Sequence, residues 1–279
     1  MPDEIKKIEM GSATFEENKA DSHIPSKIQA DTLFTFTSQI EYLIPYIENA
    51  CLYPRYCDED IEYLNIEKYK KIYIPMKCFC DINLHRIDCH LDWYGYYGLA
   101  FPKKWGMKNG IQPIQYINPD SNLRKDFSEV FNPMLNSDSS MTDDFSNMMK
   151  NFILHELMYY KPYEGKMRSR ISQNIEEKCF TDECEWRYVP NLSDTEFQPI
   201  YYDTDIINAG IMNEISNSLT KVPGISLNFN YTDLKYIIIK TADDFVKLVS
   251  VISNLKIDEN QKNELISKII IWDKSKGDF

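Results

Sequence analysis

The forty residues from Cys78 to Ile117 constrain this chain most. They are the densest run of aromatic, Cys, His and Gly residues in it. Met76–Cys80 continues a β-branched and aromatic stretch, Leu84, Ile87 and Leu91 fall at helical spacing, and Trp93–Phe101 and Ile111–Ile117 read as strands. Strand, short helix, strand, turn, strand is a pattern that must be completed by sheet partners from elsewhere. Pro75 marks the first strand as an edge or a bulge. Gly95 and Gly98 let the backbone turn or approach another group closely.

The flanking sequence supplies those partners. Leu33–Thr37 suits a strand, followed by a helix with Ile40, Leu43, Ile44 and Ile47 inward, capped by Ser38 with Glu41 and kinked or shortened by Pro45. Glu185–Val189 and Leu234–Lys240 are further strands. Helices are expected over 141–160, with Ser140 as cap and Asp143 and Asp144 in the first turn, and over 205–219. Thr241 caps a helix to about Leu255, and Asp258 with Gln261 opens the last one. Residues 118–140, rich in Asn, Asp and Ser, read as a long loop or boundary. The fold class is therefore α+β, with a mixed or antiparallel central sheet and flanking helices. Residues 1–31 read as a flexible extension, and 32–279 as one domain with a loop-rich insertion near 118–180.

Acids exceed bases by 43 to 31, a net charge of −12, which argues against broad nucleic-acid binding but leaves a local basic cleft or a basic protein partner. No apolar stretch is long enough to span a bilayer, the N-terminus has no secretory signal, and seven Cys outside a secretory context read as reduced thiols in a cytoplasm. Neither GxGxxG nor GxxxxGK[ST] occurs, and no GxSxG elbow is present. His155-Glu156 lacks the second His of a zincin helix, because Tyr159 stands there. Cys78, Cys80, Cys89 and His90 have poor zinc spacing, so small packed thiols are the better reading and no metal is expected.

Three clusters stay open to a functional reading. Glu183 and Glu185, two apart, either share a face and raise one another's pKa, or are partnered, Glu185 with Arg187 or a neighbouring Lys. Lys161, Lys166, Arg168 and Arg170 form either an anion-binding loop or a solvated one. Arg55, Tyr56 and Glu59 either line a pocket or belong to a surface loop.

Several pieces together resemble the AbiGi-type abortive-infection family of bacteria: Leu33–Thr37, Pro54–Cys57, Met76–Ile82, Trp93–Leu99 with Lys104-Trp105-Gly106, Asp182–Pro190, Leu234–Ile239 and the terminal Asp278-Phe279. The resemblance runs over most of the chain from about residue 32. It implies a cytoplasmic phage-defence protein, the antitoxin-like half of a two-gene system, with a protein partner such as a nucleotidyltransferase-like toxin or a phage component, and no cofactor. A second similarity is to DarT-like ADP-ribosyltransferases, NAD-using enzymes that modify nucleic acid or protein. It rests on Thr35 and Thr37, Tyr94 or Tyr97, and Glu185, with Thr35 standing where that pattern has His. It implies catalysis by Glu185 with Glu183 and Tyr97, and a pocket made by Thr35, Thr37, Arg55, Tyr56, Tyr94, Trp105 and Arg187. Convergence of Arg55, Tyr97 and Glu185 on one open pocket favours the enzyme; scatter favours the interaction protein.

Overall fold

A computed structural model describes residues 24–136, 144–205 and 208–278. In chain order its strands are β1 (Thr32–Thr37), β2 (Cys51–Leu52), β3 (Arg55–Asp60), β4 (Lys71–Cys80), β5 (Tyr97–Pro102), β6 (Gln112–Pro113), β7 (Gln115–Ile117) and β8 (Tyr160–Pro162). They continue with β9 (Glu164–Arg168), β10 (Ile175–Cys179), β11 (Glu185–Tyr188), β12 (Tyr201–Tyr202), β13 (Leu227–Asn228), β14 (Tyr236–Ile239) and β15 (Ile269–Ile271). The helices are α1 (Ile40–Asn49), α2 (Asp88–Tyr94), α3 (Lys103–Lys108), α4 (Asn122–Asn136), α5 (Asp144–Met158), α6 (Ala209–Leu219), α7 (Ala242–Ser253), α8 (Glu259–Ser267) and α9 (Trp272–Ser275).

The main sheet runs β15-β14-β5-β1-β4-β11-β6, with β3 and β12 paired to the first half of β4. All its pairs are antiparallel except β14 with β15. The chain is thus α+β with a mixed, mostly antiparallel sheet. Every residue of β1 is buried, because β4 and β5 flank it and both sheet faces are covered. Strand alternation sends Leu33, Phe79, Leu99, Phe101, Ile237 and Ile239 to one face, under α1, α7 and α8. Phe34, Phe36, Cys80, Ala100 and Ile238 take the other, against Leu91 of α2 and Trp272. A separate core joins Ile72, Ile74 and Met76 of β4 to Phe131 of α4 and to Ile153, Leu157 and Met158 of α5.

Four local expectations change. β4 is central rather than an edge. It tolerates Pro75 because the opposite residue, Tyr56, turns its N–H away to Ser216 Oγ (3.1 Å), and because on the other side β12 reaches only as far as Tyr73 and β11 only as far as Lys77. The pair across Pro75 therefore needs no ladder hydrogen bond. Ser38 does not cap α1: Gln39 occupies that position without a side-chain bond, and Glu41 instead pairs with Lys247 of α7. The helix runs through Pro45 to Asn49. Part of the stretch read as loop at 118–140 is α4, which buries Phe131 and packs the partly buried Phe127 and Met134 beside it, and Ser128 Oγ donates to the Leu64 carbonyl. Ile111–Ile117 is not one strand, since β6 joins β11 and β7 joins β8 in a separate sheet. Ser140 and Asp143 lie outside the described residues.

The glycines act where the turn into β5 demands it. Gly95 has φ +114°, and a Cβ there would lie 2.2 Å from the Thr37 carbonyl oxygen. At Gly98 a Cβ would lie 2.5 Å from the Phe36 ring.

Both C-terminal capping boxes form: Thr241 Oγ1 accepts from Asp244 N (3.2 Å) while Asp244 accepts from Thr241 N (3.0 Å), and Asp258 pairs likewise with Gln261. Thr241→Ala is expected to lower stability by about 1 kcal/mol, read as a fall in the urea midpoint at unchanged m.

Candidate functional site

β11 carries Glu185 and Arg187 on the sheet face shared with Cys80 and Cys78, their register partners. Glu183 is not on that strand. It ends a 3-10 turn (Phe180–Glu183), and Cys184, at φ 42°, reverses the backbone before the strand begins. The turn nevertheless brings both carboxylates to one cation. Lys161 of β8 lies 2.7 Å from Glu183 Oε2 and 2.8 Å from Glu185 Oε2. Arg187, 0% exposed, donates from Nε to Glu185 Oε1 (2.7 Å), from Nη1 to the Met158 carbonyl (2.8 Å) and from Nη2 to Glu59 Oε1 (2.9 Å). Lys178 of β10 lies 2.5 Å from Glu183 Oε1, which also accepts from the Tyr94 hydroxyl. Three carboxylates, Glu59, Glu183 and Glu185, thus alternate with three cations, Lys161, Lys178 and Arg187.

Burial alone would raise the two inner carboxyls. For Glu185 the adjacent Arg187 and Lys161 charges outweigh it and hold the group well below the usual carboxylate range. Glu183 is also lowered, by Lys161 and Lys178 against burial and the repulsion of Glu185. Repulsion therefore does not raise the pKa of either one, because Lys161 stands between them. Glu59, at the outer end, is raised by burial in spite of Arg187. Lys178 is lowered by burial, and the Tyr94 phenol is pushed well up by burial and its carboxylate neighbours. Two saturated anions and their cations are an ion ladder with no free acid or base at its centre.

Of the pocket and catalytic candidates singled out from sequence, Glu59, Glu183, Glu185, Arg187 and Tyr94 meet in this ladder. The others lie elsewhere. Tyr97 is on β5, its hydroxyl 3.1 Å from Asp244 Oδ2 at the start of α7. Arg55 binds Asn217 and Asn213 of α6, and Tyr56 donates to the Gln198 carbonyl. Trp105 stacks on Phe101 (centroids 4.1 Å apart) in the core on the far side of the sheet. Thr35 is buried beside Leu33 on that same far face, and Thr37 Oγ1 donates to the Gln39 carbonyl. Thr35 and Thr37 therefore face away from Glu185, and the set that an NAD pocket of the ADP-ribosyltransferase pattern requires is not assembled. Lys161 and Lys178 complete the ladder. Lys161 stood out only as one member of a basic run, and Lys178, inside Glu-Glu-Lys-Cys, gives no local signal at all.

The cysteines are all unpaired as thiols, and burial pushes Cys78 and Cys80 well up. Among the described residues no group of His, Cys, Asp or Glu could hold a metal ion, and no helix is long and apolar enough to cross a membrane.

A second feature, this one exposed, lies on α5. Its inner face buries Ile153, Leu157 and Met158, but Phe145, Met148, Met149 and Phe152 are 69, 68, 40 and 56% exposed on the other face. Their spacing is one helical stripe.

The family model "Putative abortive phage resistance protein AbiGi, antitoxin" matches residues 50–240. A protein of Lactococcus lactis subsp. cremoris named "Abortive phage resistance protein AbiGi" is 33% identical over 245 residues, covering 81% of this chain and 98% of its own length. No solved structure matches. The ladder strand Glu185–Tyr188 and the α5 stripe lie inside the matched span, and the chain belongs to the AbiGi family of abortive phage resistance proteins.

Proposed function

We propose that this protein is the antitoxin-like component of a phage-defence pair and acts by binding a protein partner rather than by chemistry of its own. The outward stripe of α5 carries this reading. Four large apolar side chains facing water on one helix cost solvation unless something covers them, and such a stripe is an ordinary protein-docking surface. The partner most compatible with a chain of net −12 is basic, as proteins acting on nucleic acid commonly are. The scatter of Arg55, Tyr97 and Glu185 supports the same reading, as does the mutual neutralisation of the ladder. The antitoxin description attached to the family agrees with it.

Co-expression with the toxic product of the neighbouring gene tests the proposal. The wild-type chain should restore growth. Met148→Asp with Phe152→Asp, both exposed, should change folding stability by no more than about 1 kcal/mol yet reduce rescue at least about tenfold, as loss of interface anchors does. Full rescue by the double variant, in a chain that still unfolds at the wild-type midpoint, removes α5 as the docking surface.

A further inference from the structure

A cavity of 590 Å³ opens above the ion ladder, within the size range of small-molecule sites. Phe34, Phe36 and Cys78 of the sheet and His90 of α2 line it. The β9–β10 hairpin closes over it. The tip of that hairpin is latched to α2, with Arg170 N donating to the Trp93 carbonyl (2.9 Å) and Ser169 Oγ to the Asp92 carbonyl (3.3 Å).

The two sides of the cavity differ in charge. The hairpin side presents Arg168 and Arg170. Among the described residues neither forms an ion pair: Arg168 gives one bond to the Gln173 carbonyl, and the Arg170 guanidinium sits 5.3 Å from the Tyr94 ring centroid. Neither arginine facing the cavity has a carboxylate within ion-pair distance among the described residues, although Asp58 is near enough to act on Arg170 electrostatically. The opposite side is β3, with Asp58 and Asp60. Asp58 pairs with Lys71, at 3.5 Å, and remains 63% exposed. The ladder beneath is charge-balanced, so it cancels neither side.

We infer that this cavity binds a nucleoside monophosphate. Two guanidinium groups match one phosphate dianion and supply fork donors to its oxygens. At the aromatic end, half-buried His90 presents ring surface to a planar base, with the edges of the buried Phe34 and Phe36 beside it. Asp58 accepts from an exocyclic amino group or a ribose hydroxyl. Two arginines are too few for a triphosphate, and the chain's overall charge disfavours a polynucleotide. The inference is independent of partner docking on α5.

Isothermal titration calorimetry on the full chain at low salt, with AMP, GMP, CMP and UMP as probes, tests it. At least one should bind at a single site with Kd below about 1 mM. The matching nucleoside and inorganic phosphate should each bind at least about tenfold more weakly. Arg170→Gln should weaken binding by about tenfold or more with its thermal midpoint retained. Lys166→Gln, at an exposed hairpin position paired only with Glu177 at 3.8 Å, should bind as wild type. No saturable heat with any of the four, phosphate binding as tightly as the nucleotide, or an Arg170→Gln variant of unchanged affinity would each overturn the inference.

Discussion

Replacing Arg187 with Met is expected to destabilise the fold by about 3–5 kcal/mol, the cost of stranding buried charge after one partner is removed. Arg187 is fully buried and gives three hydrogen bonds, to Glu185, Glu59 and the carbonyl of Met158. Met fills a similar volume and retains the packing. What is lost is the counter-charge between two carboxylates. Glu185 keeps Lys161 at 2.8 Å, whereas Glu59 has no other ion-pair partner among the described residues. Lys should not rescue the change, because an ammonium cannot direct a planar fork at three acceptors. Glu59→Gln added to Arg187→Met removes one stranded charge and should recover about 1–3 kcal/mol. Urea unfolding monitored by tryptophan fluorescence reads these values, with m unchanged if the native state stays compact. A loss below about 1 kcal/mol would mean that water already reaches the ladder. Because Arg187 also holds the C-terminal carbonyl of α5, the variant should raise amide exchange in that helix as well.

What the sequence made legible divides by distance along the chain. The α7 and α8 boundaries were visible because each capping box lies within four residues: Thr241 with Asp244, and Asp258 with Gln261. β14 was visible because its apolar run is continuous, and β1 because its residues are all aromatic, β-branched or Leu. α4 was hidden by its composition, since Asn, Asp and Ser outnumber its core-packed Phe127, Phe131 and Met134 and read as turn material. Pro75 looked like an edge signal because the sequence does not reveal that β12 and β11 leave a gap beside it. The site shows the same limit. Glu185 with Arg187 is a same-strand pair and could be anticipated. Lys161 could not be told from Lys166, five residues on, because its burial depends on two carboxylates more than twenty residues away. Tyr94 and Tyr97 are separated only by Gly95 and Tyr96, yet the positive φ of Gly95 sends them to different environments, one to Glu183 and the other to Asp244.

The pH dependence of stability should be set by His90. Its ring stacks on Tyr94 (4.5 Å) and lies 5.6 Å from Phe36. Burial lowers its pKa from 6.5 to about 3, with Lys178 and Lys161 acting in the same direction and Glu183 and Glu185 opposing. The unfolded chain therefore takes up a proton near 6.5 that the folded chain refuses. Stability supported by neutral His90 is complete above that value and is lost as pH falls toward the folded pKa. Between pH 7 and pH 5 the loss should be about 1–2 kcal/mol once solvent screening of this half-buried ring is allowed for. That window lies above the ordinary carboxylate pKa. Glu183 and Glu185, held low, add a loss of the same sign only at lower pH, while Glu59, held high, takes up its proton above the ordinary carboxylate value and offsets part of the fall. His90→Phe keeps an aromatic ring between Tyr94 and Phe36 and removes the titration. Urea midpoints of that variant should be nearly flat from pH 7 to pH 5 while those of the wild type fall. Parallel slopes for the two proteins would assign the acid sensitivity to another group.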